Sequence, residues 1–129
     1  MKLSAEIKDI IKIVLDDYSK KQYAHLTKEE QQALGAFYTP SELVIQMIEK
    51  FDNLEGTICD PAAGVGNLLV GCILAGANPL SIYAIEYDYE TFLVLKKRLA
   101  QYGVPEYHIL LGDATDPISW SILQSRIDN

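Results

Sequence analysis

The stretch that most limits what this chain can fold into is Cys59-Asp60-Pro61-Ala62-Ala63-Gly64-Val65-Gly66-Asn67-Leu68-Leu69. A short apolar run, Thr57-Ile58-Cys59, precedes it, and a longer one, Leu68 to Ala77, follows with the length of a helix. A strand, a glycine turn and a helix start in that order form a recurrent nucleotide site. The glycines let backbone approach a ligand, and the first turn of the helix offers free N–H groups. Two further apolar runs end in acids: Ile82-Tyr83-Ala84-Ile85-Glu86, and Ile109-Leu110-Leu111-Gly112-Asp113.

Three strand-like runs separated by helical segments describe half of a doubly wound α/β sheet, and right-handed crossovers give it the strand order 3-2-1. The strands are expected at about Thr57–Cys59, Ser81–Ile85 and Tyr107–Leu111, and the helices at about Asn67–Ala75, Tyr89–Tyr102 and Ile118–Arg126, with Asp88 capping the middle one. Ligands on such sheets lie across the carboxyl ends of the strands, which is where Asp60, Glu86 and Asp113 fall. A carboxylate at the second strand end can accept both hydroxyls of a ribose, and one at the third can accept a proton from the amino group of adenine. That pattern suits an adenosine ligand. A diphosphate does not fit: no Lys-Ser/Thr follows the turn, and Asp60 repels phosphate.

Upstream, Ile7, Ile10, Ile11, Val14, Leu15 and Tyr18 repeat at helical spacing and give an apolar stripe from about Ala5 to Tyr18. It must cover either the chain's own sheet or a partner helix. Thr27-Lys28-Glu29-Glu30 reads as a capping box starting a helix from Lys28 to Leu34 that stops at Gly35. Thr39-Pro40-Ser41-Glu42 reads as another, with Pro40 at the first helical position and Leu43, Val44, Met47, Ile48 and Phe51 turned inward. Thr39 and Pro40 either only start that helix or also place its start beside a ligand. Phe37 and Tyr38 are either core aromatics or a pocket wall. The chain divides into an N-terminal helical segment, 1–34, and an α/β unit, 35–129.

A chain of 129 residues with 49% hydrophobic and 22% charged residues has the make-up of one ordinary globular domain. Its net charge of −7 disfavours duplex DNA, whose binding rests on basic surface. The clusters Lys20-Lys21 and Lys96-Lys97-Arg98 read as solvated helix faces. Cys59 and Cys72 lack metal-ligand spacing and read as buried free thiols, and His25 and His108 are isolated. No apolar run is long enough for a membrane span and the N-terminus lacks a signal-peptide core, so a cytoplasmic protein is expected.

Asp60-Pro61-Ala62-Ala63-Gly64-Val65-Gly66-Asn67 resembles the first S-adenosylmethionine motif of the adenine-specific, amino-methylating DNA methyltransferases. Gly35-Ala36-Phe37-Tyr38-Thr39-Pro40 resembles the family's other cofactor motif. The resemblance covers roughly residues 35–116 and implies a Rossmann-like methyltransferase half-domain in a restriction-modification setting. It implies S-adenosylmethionine held by Tyr38, Thr39 and Pro40, by Asp60, Pro61, Ala62, Gly64, Gly66 and Asn67, by Glu86 at the ribose and Asp113 at the adenine, and by the neighbouring Tyr87 and Ala114. No metal is implied. The family's catalytic Asn-Pro-Pro-Tyr, placed after the fourth strand, is matched nowhere, since Asn129 is the only Asn after position 78. No catalytic residue is therefore expected, and the sequence ends about where a fourth strand would begin. One side of the first strand is left unpaired, which calls for self-association or a separate chain carrying the catalytic half, with DNA reached only through such a partner. A catalytically dead cofactor-binding regulatory or interaction module is the alternative, and a remnant kept for an interaction surface is a third.

Overall fold

The computed structural model describes residues 1–34 and 38–129. The helix stop at Gly35 and the Gly35, Ala36 and Phe37 part of the upstream motif lie outside the described residues. The element order is α1 (Ala5–Tyr23), α2 (Lys28–Leu34), α3 (Ser41–Glu49), β1 (Ile58–Asp60), α4 (Asn67–Leu74), β2 (Ile82–Glu86), α5 (Tyr89–Ala100), β3 (Ile109–Leu111) and α6 (Pro117–Asp128). The strands form one parallel sheet in the order β1-β2-β3, with Cys59 opposite Tyr83 and Ile85 opposite Leu110. This is the expected half of a doubly wound sheet, read from its other edge. β2 and β3 start one or two residues late because short 3-10 turns, Pro79–Ser81 and Glu106–His108, occupy the positions before them.

Side-chain alternation divides the sheet into two faces. Ile82, Ala84 and Ile109 point into the larger core, which also holds Ile11 and Leu15 of α1, Val44 and Ile48 of α3, Leu69 and Val70 of α4, and Leu95 and Leu99 of α5. Each fully buried Leu or Ile contributes about 1.5–3 kcal/mol, so this cluster dominates stability. Tyr83, Ile85 and Leu110 point the other way, where α6 covers them with Leu123. Helix α4 sits tightly on α3: a Cβ added at Gly71 would come within 2.5 Å of Val44 Cγ1.

The structure corrects several expectations. The α1 stripe covers neither the chain's own sheet alone nor a partner helix: its buried residues pack inside the chain, against α3 and α4. Ile10 is 45% exposed, off the buried line through Leu3, Ile11 and Leu15. On α3 the buried face is Val44, Ile45 and Ile48, whereas Leu43, Met47 and Phe51 are at least partly exposed. The whole helix is rotated toward α1 and α4, a tertiary choice that apolar spacing cannot show when the apolar residues Leu43, Val44, Ile45, Met47 and Ile48 spread over more than half of its circumference. The second capping box does not form: Pro40 is the N-cap residue, extended at ψ 146°, and no side chain caps α3. The first one does, with Thr27 and Glu30 exchanging bonds of 3.1 Å. Cys59 is half-buried rather than buried, because β1 lies at the sheet edge; Cys72 is buried, and both are free.

Candidate functional site

The carboxyl ends of the three parallel strands lie along one edge of the sheet, and those of β1 and β2 meet the glycine turn there. At the end of β1, Asp60 Oδ1 accepts the Ala62 N–H at 3.0 Å and shapes the start of the turn. Gly64 and Gly66 have φ of +56° and +90°, a region that L side chains enter at a cost. Gly66 is doubly required, since a Cβ there would meet Leu95 Cδ1 at 2.9 Å. Gly66 is also the N-cap of α4 and leaves that helix start without a side-chain cap. Free N–H groups therefore face the same edge as the acids.

Glu86, at the end of β2, is 7% exposed and holds the site together. Its Oε1 accepts the Gly64 N–H and its Oε2 the Asp88 N–H, both at 2.8 Å. Each oxygen keeps a further lone pair, so the carboxylate can clamp the turn and still accept hydroxyl protons. Beyond it, Tyr87 is exposed, and Asp88 caps α5 through the Thr91 N–H at 2.9 Å. The turn after β3 is organised by Asp113, whose Oδ1 accepts from both the N–H and the hydroxyl of Thr115, at 2.8 and 2.6 Å. The Ala114 carbonyl accepts the Trp120 indole N–H at 2.7 Å, which anchors that turn to α6.

The electrostatics differ among the acids. Burial pushes the Asp60 carboxyl above its ordinary value; the Ala62 N–H opposes this and the charge of Glu86 adds to it. Thr115 pulls Asp113 below the ordinary value through its hydroxyl and its N–H. Asp60 is therefore the acid with most to gain from a cationic ligand.

The upstream segment reaches this turn from the α3 side. The Thr39 carbonyl accepts the Asn67 side-chain N–H at 2.7 Å, and Pro40 leads directly into α3. Tyr38 packs on Tyr23 and Tyr18 of α1, with ring centroids 5.0 and 6.2 Å apart, and burial lifts its hydroxyl to about 12. Asn67 is 3% exposed, and both ends of its amide are engaged within the protein, by Thr39 and by Arg98. Pro61 and Ala62 form the exposed rim.

Arg98 corrects a sequence expectation. It is 4% exposed and lies beneath the turn, not on a solvated face. Thr91, Leu95, Arg98 and Leu99 are all buried on α5, and the spacing i, i+4, i+7, i+8 was the signal that could have placed Arg98 among them. No group of residues suited to a metal ion occurs among the described residues.

The family model described as N-6 DNA methylase matches residues 14–114, from the middle of α1 to the turn after β3. The chain belongs to the N-6 DNA methylase family. A curated relative, "Type II methyltransferase M.VspI" of Vibrio sp. (strain 343), is 32% identical over 87 residues, which are 65% of this chain and 21% of that protein. This N-6 DNA methylase chain thus spans about a fifth of the length of the curated relative it matches. No solved structure matches it significantly. Its matched region contains Tyr38 to Pro40, the glycine turn, Glu86, Arg98 and Asp113, so the family assignment and the candidate site fall on the same part of the chain. Among the described residues no helix is long and apolar enough to cross a membrane.

Proposed function

We propose that the segments around Tyr38–Pro40, the Gly64–Gly66 turn, Glu86 and Asp113 form the S-adenosylmethionine site of an adenine amino-methyltransferase, whose base-holding elements come from another segment or chain. The observation that carries this is the convergence of Asp60, the Gly64–Gly66 turn, Glu86 and Asp113 on one sheet edge in a member of the N-6 DNA methylase family. The donor set fits the ligand. Glu86 has unused lone pairs for ribose hydroxyls, Asp113 is an acceptor for an adenine amino group, and the half-buried carboxylate of Asp60 suits the ammonium end. The uncapped start of α4 suits a carboxylate. When bound, the cofactor supplies an electrophilic methyl group on a sulfonium; the residues here hold and orient it and keep its charge paired.

The acceptor side is supplied by another segment, a second copy or a separate chain. Strand β1 is an edge strand, and a cleft of about 260 Å³ lined by Phe51, Asn53, Thr57, Ile58 and Cys59 runs beside it. An added strand would satisfy the unpaired backbone there, and a stable assembly would bury on the order of 1,200–2,000 Å² in total. DNA is contacted through that partner, since the net charge is −7. A second reading, a cofactor-binding module without catalysis, is favoured by the lack of Asn-Pro-Pro-Tyr in the sequence.

Titration calorimetry with S-adenosylmethionine tests the first step: heat of binding is expected, and no heat at millimolar cofactor refutes the reading. A tritiated-methyl transfer assay on adenine-containing DNA should show no turnover by residues 1–129. Turnover restored by adding a chain that carries Asn-Pro-Pro-Tyr selects the enzyme reading over the binding module.

A further inference from the structure

Arg98 is a buried cation without a carboxylate. The ion pairs among the described residues, Lys8–Glu49 and Lys21–Asp17, lie elsewhere. A buried guanidinium is costly unless its surroundings hold it. Here Nη1 donates to the Val65 carbonyl at 2.9 Å and to Asn67 Oδ1 at 2.7 Å, while Nε and Nη2 find no partner among the described residues. The Tyr18 ring of α1 lies 3.6 Å from its Cζ, a close cation–π contact.

The two Nη1 bonds have consequences beyond α5. Val65 is the residue between the two left-handed glycines of the turn. Asn67 passes the contact on: with Oδ1 held by Arg98, its Nδ2 must point at the Thr39 carbonyl, and only this orientation of the amide satisfies both neighbours. One guanidinium thus joins the glycine turn, the Tyr38–Pro40 segment and, through Tyr18, helix α1. Tyr18 in turn packs on Tyr38, so the connection closes on itself.

We propose that Arg98 is a positioning residue of the cofactor site, fixing the Gly64–Gly66 turn relative to the Tyr38–Pro40 segment and to α1 without itself touching the cofactor. This rests on the reading of the turn as a cofactor site. The arrangement keeps two chain segments, about 25 residues apart in sequence, in register before any ligand arrives. An apolar side chain of similar bulk, such as Met, would fill the space but could not donate to either oxygen.

The test uses the ligand-free protein and the cofactor in separate arms. In nuclear magnetic resonance spectra of the ligand-free chain, the Asn67 side-chain N–H signals report the Thr39 bond directly. In Arg98→Met they should exchange with solvent at least tenfold faster, and the Gly64, Val65 and Gly66 amide signals should shift. The Ile85 and Leu110 amides in the sheet should keep their protection. Arg98→Lys, which retains a cationic donor, should recover most of the effect. If Arg98→Met does not fold, Asn67→Ala cuts the same link from its other end and should shift the Gly64–Gly66 and Thr39 signals together. Unchanged turn signals in whichever variant folds, or changes confined to α5, would overturn the proposal. In the second arm, Arg98→Met should weaken S-adenosylmethionine binding at least tenfold by calorimetry, and equal affinity in a folded variant would also overturn it. Should the unsubstituted chain bind no cofactor, the functional reading fails, and the spectra alone decide whether Arg98 holds the turn to the Tyr38–Pro40 segment.

Discussion

Replacing Glu86 by Gln tests whether its carboxylate has a structural role beside the proposed ligand-binding one. Each oxygen accepts one backbone N–H at 2.8 Å, from Gly64 and from Asp88. A Gln side chain has one acceptor and one donor end, so in either orientation an NH₂ group faces a backbone N–H. One charge-assisted hydrogen bond is lost, worth about 1.5–3 kcal/mol, and a donor is stranded at a site 7% exposed. The two effects overlap, so a total of about 2–4 kcal/mol is expected. For a chain of this size that lowers Tm by roughly 6–16 °C. The measurement is urea and thermal unfolding followed by circular dichroism, with no cofactor present. Glu86→Ala strands both N–H groups and should cost at least as much. A Gln variant within about 0.5 kcal/mol of the unsubstituted protein, the scatter expected of an ordinary surface change, would refute the idea that Glu86 clamps the turn and leave it only a ligand-binding role.

Two further outcomes are expected. Gly66→Ala combines a left-handed backbone cost of about 1–2 kcal/mol with overpacking of about 1–3 kcal/mol against Leu95. Gly56→Ala, at φ +77° with nothing within 4 Å of the new Cβ, has only the first term; equal losses for the two in urea titrations would show that α5 does not press on the turn. Asp60→Asn keeps the acceptor for the Ala62 N–H but removes a charge that burial disfavours. Because the folded carboxyl holds its proton more tightly than the unfolded one, stability declines as pH rises from 3.8 through the raised value. The Asn variant should therefore gain on the parent as pH rises to 7 while binding S-adenosylmethionine more weakly, and a stability difference independent of pH would contradict this.

The sheet and the acids along its carboxyl edge were legible because each strand end carries its own punctuation. Asp60, Glu86 and Asp113 close apolar runs, and Asp88 and Thr27 begin helices through local bonds that depend on a few neighbouring residues. What depended on distant partners was not legible. The α3 segment Leu43-Val44-Ile45-Ile48 is apolar around most of its circumference, so only the docking of α1 and α4 decides that Ile45 faces inward and Leu43 outward. Thr39 has the spacing of a capping residue, but its backbone is committed to Asn67, 28 positions away. Arg98 sits in a run of basic residues that looked solvated, and only the third dimension shows the Tyr18 ring above it.

The outer edge of β1 is three residues long, Ile58–Asp60, and its last residue is the acid that opens the glycine turn. Whatever strand adds there forms a short ladder whose few rungs carry little register information of their own. A slip by one position would invert the faces of the incoming strand and lift it away from Asp60. Were a strand to add at this edge, the shape of the cleft around Phe51 and Cys59, more than strand pairing, would set how it fits.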